Sequence, residues 1–121
     1  MSLVTDILRG AHDLLLDGAK WTRGTIARDR AGHRVQANSS QAVSWCVHGA
    51  VLKTGKELGA NDSTIRTAQV LLNTVSAQKF HHVADFINDS FGYERAMEVL
   101  SLAVKASDEA DANEGLSKPK T

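Results

Sequence analysis

The sequence predicts a mainly α fold, a small helical domain of four to five helices with one short β-hairpin after the first helix. Apolar residues recur at spacings of three and four along most of the chain, which places them on one face of each helix. The single proline, Pro119, lies near the C-terminus, so no proline interrupts a helix before it. A segment punctuated by Gly24 and Gly32 loses the helical period and is where the hairpin is predicted.

The composition is that of one globular domain. The chain has 121 residues, 42% of them hydrophobic and 23% charged, and its 14 Lys and Arg balance its 14 Asp and Glu. This balance argues against a disordered, collagen-like or membrane protein. Cys46 is the sole cysteine, which excludes an internal disulfide and a metal site built on several thiolates. With one thiol, no long apolar run and no secretory signal pattern, we expect a cytoplasmic protein.

The first helix is predicted over residues 4–17. Its apolar stripe consists of Val4, Ile7, Leu8, Ala11, Leu14 and Leu15. Ser2 or Thr5 can cap the first turn, since a hydroxyl accepts from a free backbone amide there. Gly18 is the expected stop, because glycine readily takes the positive φ that often follows a helix.

The hairpin is predicted from two short runs, residues 25–28 and 33–36. They flank the loop Asp29-Arg30-Ala31-Gly32, in which Gly32 supplies a positive φ. A two-stranded hairpin alone is marginal in water, so we expect Trp21 and Ile26 to pack it on the helices.

Two helices are predicted in the middle of the chain. The signal Asn38-Ser39-Ser40 starts a helix over residues 41–53, with Cys46 in its middle. After a turn at residues 54–61, Asp62 or Ser63 caps a helix over residues 63–77.

The helical spacing continues through Phe80, Val83, Ala84 and Ile87, and residues 88–92 are predicted to break the chain. The last helix is predicted over residues 94–106, which closes a single helical domain at residues 1–106. Residues 107–121 lack large apolar side chains until Leu116 and are predicted to be a disordered acidic and polar tail.

Positive charge is concentrated near the hairpin. Residues 1–60 carry eight Lys and Arg against five Asp and Glu, whereas residues 61–121 carry six against nine. Indole and guanidinium groups together stack on flat groups and pair with anions. We interpret one aromatic residue and four arginines as a partner-binding surface: Trp21, Arg23, Arg28, Arg30 and Arg34. The alternative is a solvated hairpin edge whose charges discourage strand-to-strand aggregation.

Residues 58–69 have the layout of a helix-turn-helix. Gly59 lies six residues before Ile65, which would bury the inner face of a second helix. Ser63, Arg66 and Gln69 would then approach a DNA groove, where Arg and Gln read base edges. Because Arg66 is the sole cation there and this half of the chain is acidic, simple helix packing is favoured over DNA binding.

Catalytic and metal chemistry is weakly indicated. His81, Asp85 and Asp89 are spaced i, i+4, i+8 and would share a face of a continuous helix, but a polar helix face explains the same pattern. We therefore predict no metal and no cofactor. Cys46, on an apolar stripe in mid-helix, is interpreted as a buried structural thiol. Nucleophile-elbow, phosphate-loop and dinucleotide motifs do not occur in the sequence, so an enzyme is the least favoured class.

Three segments are distinctive: residues 27–32, Trp45-Cys46 followed by Gly49-Ala50, and Asn88-Asp89. With them, the chain resembles a family of small bacterial and phage-encoded proteins classified as a domain of unknown function, over residues 5–105. The family carries no assigned activity, so the resemblance implies no functional residue. From their own chemistry, Gly49 lets another backbone approach closely, and Asn88 and Asp89 bond amides of their own turn or cap the final helix.

We therefore expect a non-enzymatic accessory or inhibitory protein that acts by binding another protein. The resemblance to a family that includes phage-encoded proteins makes a phage genome one expected origin. Small size, neutral charge and the lack of a catalytic constellation motivate this hypothesis. One alternative is a helix-turn-helix DNA-binding regulator, with nucleic acid as its partner. The least favoured alternative is a metal-dependent enzyme. No membrane partner is expected, and self-association stays open.

Overall fold

In the part of the chain that the structure describes, the fold consists of five α-helices and a two-stranded antiparallel β-ladder after the first helix, which confirms the predicted fold class. The computed structural model describes residues 2–117. Its elements in chain order are α1 (Leu3–Leu15), a 3₁₀ turn (Gly18–Lys20), β1 (Ala27–Arg28), β2 (Ser44–Trp45), α2 (Val47–Glu57), α3 (Asp62–Phe80), α4 (Ala84–Ser90) and α5 (Tyr93–Ser117).

The core is centred on α1, which packs against α2, α3 and α5. The predicted apolar stripe of α1 faces the core: Ile7 and Leu8 at its middle are inaccessible, and Val4 and Leu14 are partly buried. Leu72 of α3 and Leu100 of α5 are equally inaccessible. Burial of these helix faces is therefore the main source of stability, since removing apolar area from water drives folding.

α1 begins as predicted and ends earlier than predicted. The Ser2 hydroxyl accepts a hydrogen bond from the Thr5 amide at 3.2 Å and caps the helix. The predicted stop at Gly18 is wrong, because α1 ends at Leu15 and the Asp17 carboxylate then accepts from the Ala19 amide. That contact starts the 3₁₀ turn, in which Gly18 lies.

The β-ladder pairs Ala27 with Trp45 and Arg28 with Ser44. The turn at residues 29–32 is as predicted, with Gly32 at φ +86° and its amide donating to the Asp29 carbonyl at 2.9 Å. The predicted second strand at residues 33–36 contributes one isolated bridge, between Arg28 and Arg34. Strand β2 instead comes from further along the chain, because the Val43 amide donates to the Arg28 carbonyl at 2.9 Å.

α2 starts at Val47, so the predicted helix start at residues 38–41 is wrong. The Cys46 amide donates to the Ile26 carbonyl at 3.1 Å, which keeps the chain extended up to that point. The Trp45 indole, buried beneath this segment, donates from Nε1 to the Ala37 carbonyl at 2.8 Å. Cys46 is consequently the N-cap residue of α2 and does not lie in mid-helix.

α3 and α4 are separated by a turn that the helical spacing did not indicate. Asn61 caps α3, one residue before the predicted cap, and α3 runs to Phe80. His81 then adopts a left-handed conformation, with φ 63°, which stops the helix. Asn88 and Asp89, predicted to break the chain, lie inside α4, and the break falls at Gly92, with φ +88°.

α5 continues to Ser117, past the predicted end at residue 106. The extension is tied to α1 by polar contacts: Ser107 lies within hydrogen-bond distance of Thr5, and Arg9 pairs with Asp108 at 2.7 Å. The Asp111 carboxylate accepts from the Thr5 hydroxyl at 2.7 Å. The predicted disordered tail therefore overlaps a helix, and its last part, residues 118–121, lies outside the described residues.

The contact between Asp111 and α1 predicts a pH dependence of stability. Hydrogen bonds from the Ser2 amide and the Thr5 hydroxyl lower the pKa of Asp111. A lowered folded-state pKa adds stability above the unfolded pKa of about 3.9, and this stability is lost as the pH falls through the folded pKa. We expect the wild type to melt at a higher temperature than Asp111→Asn at neutral pH, with the difference vanishing in acid. Glu109→Gln, an exposed change on the same helix, should show no such difference.

Among the helices of the described residues, none is both long enough and apolar enough to cross a membrane.

Candidate functional site

Two of the three segments that carry the family resemblance meet around the side chain of Asn88. This side chain is fully buried, and its Oδ1 accepts from the Val47 amide at 3.2 Å and from Trp21 Nε1 at 2.8 Å. Its Nδ2 donates to the Thr22 carbonyl at 3.1 Å and to Asp89 Oδ1 at 3.0 Å. The prediction that Asn88 bonds amides of its own turn is wrong. It joins α4 to the first turn of α2 and to the segment after α1.

Asp89, which is exposed, also forms hydrogen bonds to the segment after α1. Its Oδ1 accepts from the Gly24 amide at 2.9 Å, and its carbonyl faces the Arg23 guanidinium at 3.4 Å. Asn88 and Asp89 therefore position residues 21–24, which begin the predicted partner-binding surface.

Trp21 and Arg28 of that surface have structural contacts. Trp21 is half-buried, with its ring centroid 5.8 Å from that of Tyr93 in an edge-to-face arrangement. Arg28 is also half-buried and donates to the Thr22 hydroxyl at 3.0 Å and to the Gly32 and Arg23 carbonyls at 3.1 and 3.0 Å. These two side chains stabilise the loop between α1 and α2, so a change at either one alters the loop as well as the surface.

The other three cations of that surface, Arg23, Arg30 and Arg34, are exposed. Arg23 lies over the Trp21 ring, with its guanidinium carbon 5.3 Å from the ring centroid. Arg34 lies apart from this pair, at the edge of a groove between residues 34–38 and α2.

This groove, which we call the basic groove, has a volume of about 660 Å³. Ile26, Val35 and Leu52 form its apolar lining, and Arg34 and Lys56 provide positive charge. Ile26 is 44% exposed. Among the described residues that line the groove none is acidic, so an apolar segment with carboxylates would find both kinds of partner there.

Cys46 does not have the properties of a nucleophile. Its Sγ accepts from the Gly49 amide at 3.3 Å, and the residue is 6% exposed. Burial raises the pKa of this thiol to about 11, opposed by the Gly49 hydrogen bond and reinforced by the negative charge of Asp85. The thiolate is the reactive form, so a thiol with this pKa stays inert near neutral pH.

The turn at His81 separates the three metal candidates predicted from the sequence. His81 lies outside α4, whereas Asp85 and Asp89 lie within it, so the three side chains do not share one continuous helix. Asp85 instead lies 3.5 Å from His48 Nε2, which is also 3.0 Å from Asn73 Oδ1. In the described part of the chain, no group of three or more His, Cys, Asp or Glu side chains is arranged to hold a metal ion.

The DNA-binding candidates lie on α3. α2 and α3 are joined by a short turn with Gly59 at φ +72°, and Ile65 is buried, as the helix-turn-helix layout predicts. Ser63 and Arg66 are exposed and Gln69 is half-buried. Arg66 stays the sole cation among the three candidates, so phosphate attraction at this face is weak.

A cluster of aromatic rings at α4 and just beyond its two ends is a surface feature that the sequence reasoning missed. We call His82, Val83, Phe86 and Phe91 the aromatic patch. The His82 and Phe86 rings stack with centroids 4.2 Å apart, and Phe91 meets Phe86 edge-to-face at 5.9 Å. Val83, Phe86 and Phe91 are 52%, 44% and 48% exposed. Val83 was expected on a buried face, but the turn at His81 rotates it outward.

Of the comparisons with family models, curated proteins and solved structures, the one with family models gives a match. A model described as "Family of unknown function (DUF6197)" matches residues 1–109, which include the basic groove and the aromatic patch. No curated protein and no solved structure matches the chain.

Proposed function

The chain belongs to the DUF6197 family of unknown function, and we propose that it is a non-enzymatic accessory or inhibitory protein of the cytoplasm. It acts by binding an acidic segment of a partner protein in the basic groove. The observation that carries this proposal is the combination of an exposed apolar lining with cations and no acidic lining residue among those described.

The chemistry of the groove favours a peptide over a nucleic acid. Two cations, Arg34 and Lys56, are too few to supply the phosphate contacts on which nucleic-acid affinity depends. An arginine pairs well with a single carboxylate, and apolar anchors buried at the centre of an interface supply much of its affinity. Lys56 also pairs with Asp62 at 3.1 Å, an exposed contact that contributes little and is readily exchanged for a partner's carboxylate.

The remaining basic residues have a secondary role in this proposal. Arg23 and Arg30 are exposed on the same loop and raise the local positive potential, which speeds the approach of an acidic partner. Trp21 and Arg28 hold the loop in place through the contacts described above.

Direct binding to defined peptides tests the proposal. A fluorescent peptide of Leu and Glu residues is titrated with the protein and followed by anisotropy, and the same peptide with Lys in place of Glu is the negative probe. We expect Arg34→Glu combined with Lys56→Glu to weaken binding of the acidic peptide at least tenfold. Arg66→Glu, an exposed charge reversal on α3, should leave binding unchanged. Equal binding of both peptides, or no effect of the groove variant, would show that the groove is not the site.

A capture experiment separates this function from DNA binding. The tagged protein is incubated with a bacterial lysate, with and without nuclease, alongside the groove variant and Arg66→Glu. A partner that survives nuclease and is lost in the groove variant supports the proposal. Capture that requires nucleic acid and is lost in Arg66→Glu would instead support the helix-turn-helix alternative.

A further inference from the structure

We propose that, until a partner protein binds, the basic groove is filled by the aromatic patch of a second copy of this chain, so that two chains form a two-fold symmetric dimer. This inference rests on the proposed function of the groove and names its occupant.

The apolar surfaces of the two regions match in kind. The aromatic patch presents three large exposed apolar side chains, Val83, Phe86 and Phe91, with the rings of the two phenylalanines already in contact. Clustered exposed aromatic residues are typical of interfaces, because fixed rings lose little conformational freedom on binding. Ile26, Val35 and Leu52 in the groove offer the aliphatic surface on which such rings pack.

The charges of the two regions are opposite. Asp85 and Asp89 flank Phe86 on α4, and Glu94 follows Phe91, and all three residues are exposed. Asp85 keeps 68% of its side chain accessible although it lies near His48. Arg34 and Lys56 line the groove. A patch bordered by acids therefore fits a groove bordered by cations, which orients the contact.

The positions of the two regions favour a closed dimer over an open chain. Thr25 and Ile26 line the basic groove and also a smaller cavity of about 180 Å³ whose other side carries Asp85 and Asp89. The groove and the acidic border of the patch are thus neighbours, with Ile26 between them. A two-fold axis near Ile26 places each groove on the other chain's patch, so both contacts form at once.

The oligomeric state of the purified full chain tests the inference. Sedimentation of the wild type, followed up to about 1 mM, is expected to show a monomer–dimer equilibrium, since even weak association is populated at that concentration. Phe86→Ser should be monomeric throughout. Val70→Ser removes a more exposed apolar side chain from α3 and should dimerise like the wild type. Circular dichroism checks that each variant is folded.

A charge exchange tests the pairing itself. Arg34→Glu and Asp85→Lys should each abolish the dimer, because like charges then meet at both contacts. A mixture of the two variants should restore a heterodimer, since both of its contacts are again between opposite charges. A mixture of Arg66→Glu with Asp85→Lys should form less heterodimer, since only one of its two contacts is then between opposite charges.

A wild type that stays monomeric, a larger assembly, or a dimer that persists in Phe86→Ser would each overturn the inference. Binding of the acidic peptide by a monomeric wild type would leave the proposed function standing. Loss of both peptide binding and dimerisation would reject the two together.

Discussion

Gly49→Ala is expected to destabilise the protein by about 3 kcal/mol, the upper part of the range for a buried position that cannot accept a larger side chain. An added Cβ would lie 2.0 Å from the carbonyl oxygen of Ile26 and 3.0 Å from its carbonyl carbon. This carbonyl cannot retreat easily, because it accepts the hydrogen bond from the Cys46 amide beside the β-ladder. The substitution should therefore separate α2 from the loop that forms the basic groove.

Urea denaturation followed by circular dichroism measures this effect. Gly18→Ala is the matched control, because its Cβ would meet the Tyr93 ring at 3.7 Å, an ordinary van der Waals contact. We expect the control to stay within about 0.5 kcal/mol of the wild type. A Gly49→Ala variant as stable as the control would mean that the close approach to Ile26 is not required.

Asn88→Ala is expected to cost about 3 to 4 kcal/mol, since a buried polar group left without its partner loses its full solvation. The change removes the acceptor for the Val47 amide and for Trp21 Nε1, and the donor to the Thr22 carbonyl. Two of these groups belong to the segment after α1 and one to the first turn of α2, so the junction between them should loosen.

Urea denaturation and tryptophan fluorescence together report this loss. Asn113→Ala, at an exposed position of α5, should change the stability by no more than about 0.5 kcal/mol. A double-mutant cycle with Trp21→Phe isolates the contact between the two side chains, and we expect the combined cost to be smaller than the sum. Additive costs would contradict a direct contribution from the Trp21–Asn88 hydrogen bond.

Several predictions from the sequence agree with the structure because they depend on residues close together in the chain. The stripe containing Ile7 and Leu8 is local, since a helix brings residues three and four apart to one face whatever lies opposite. The positive φ of Gly32 and the Ser2 cap are local as well. The prediction that another backbone segment approaches Gly49 closely is also confirmed, although the sequence did not indicate that this segment contains Ile26.

The errors have a common cause in contacts over long distances along the chain. The start of α2 was predicted too early because the pairing of Ala27 with Trp45 overrides the local start signal. Asn88 was expected to bond its own turn, but its partners include Trp21, 67 residues away. The left-handed conformation of His81 ends α3 and separates the metal candidates. The sequence did not predict this turn, because no glycine or proline marks it.

The amino-acid sequence by itself determined the mainly α fold class, the buried face of the first helix and the concentration of positive charge near residue 30. Only the tertiary structure decided that Arg34 and Lys56 share a groove, that Trp21 and Arg28 stabilise the loop, and that Phe86 and Phe91 form an exposed patch. The physical reason is that helical periodicity is a property of neighbouring residues, whereas a surface is made where distant segments pack.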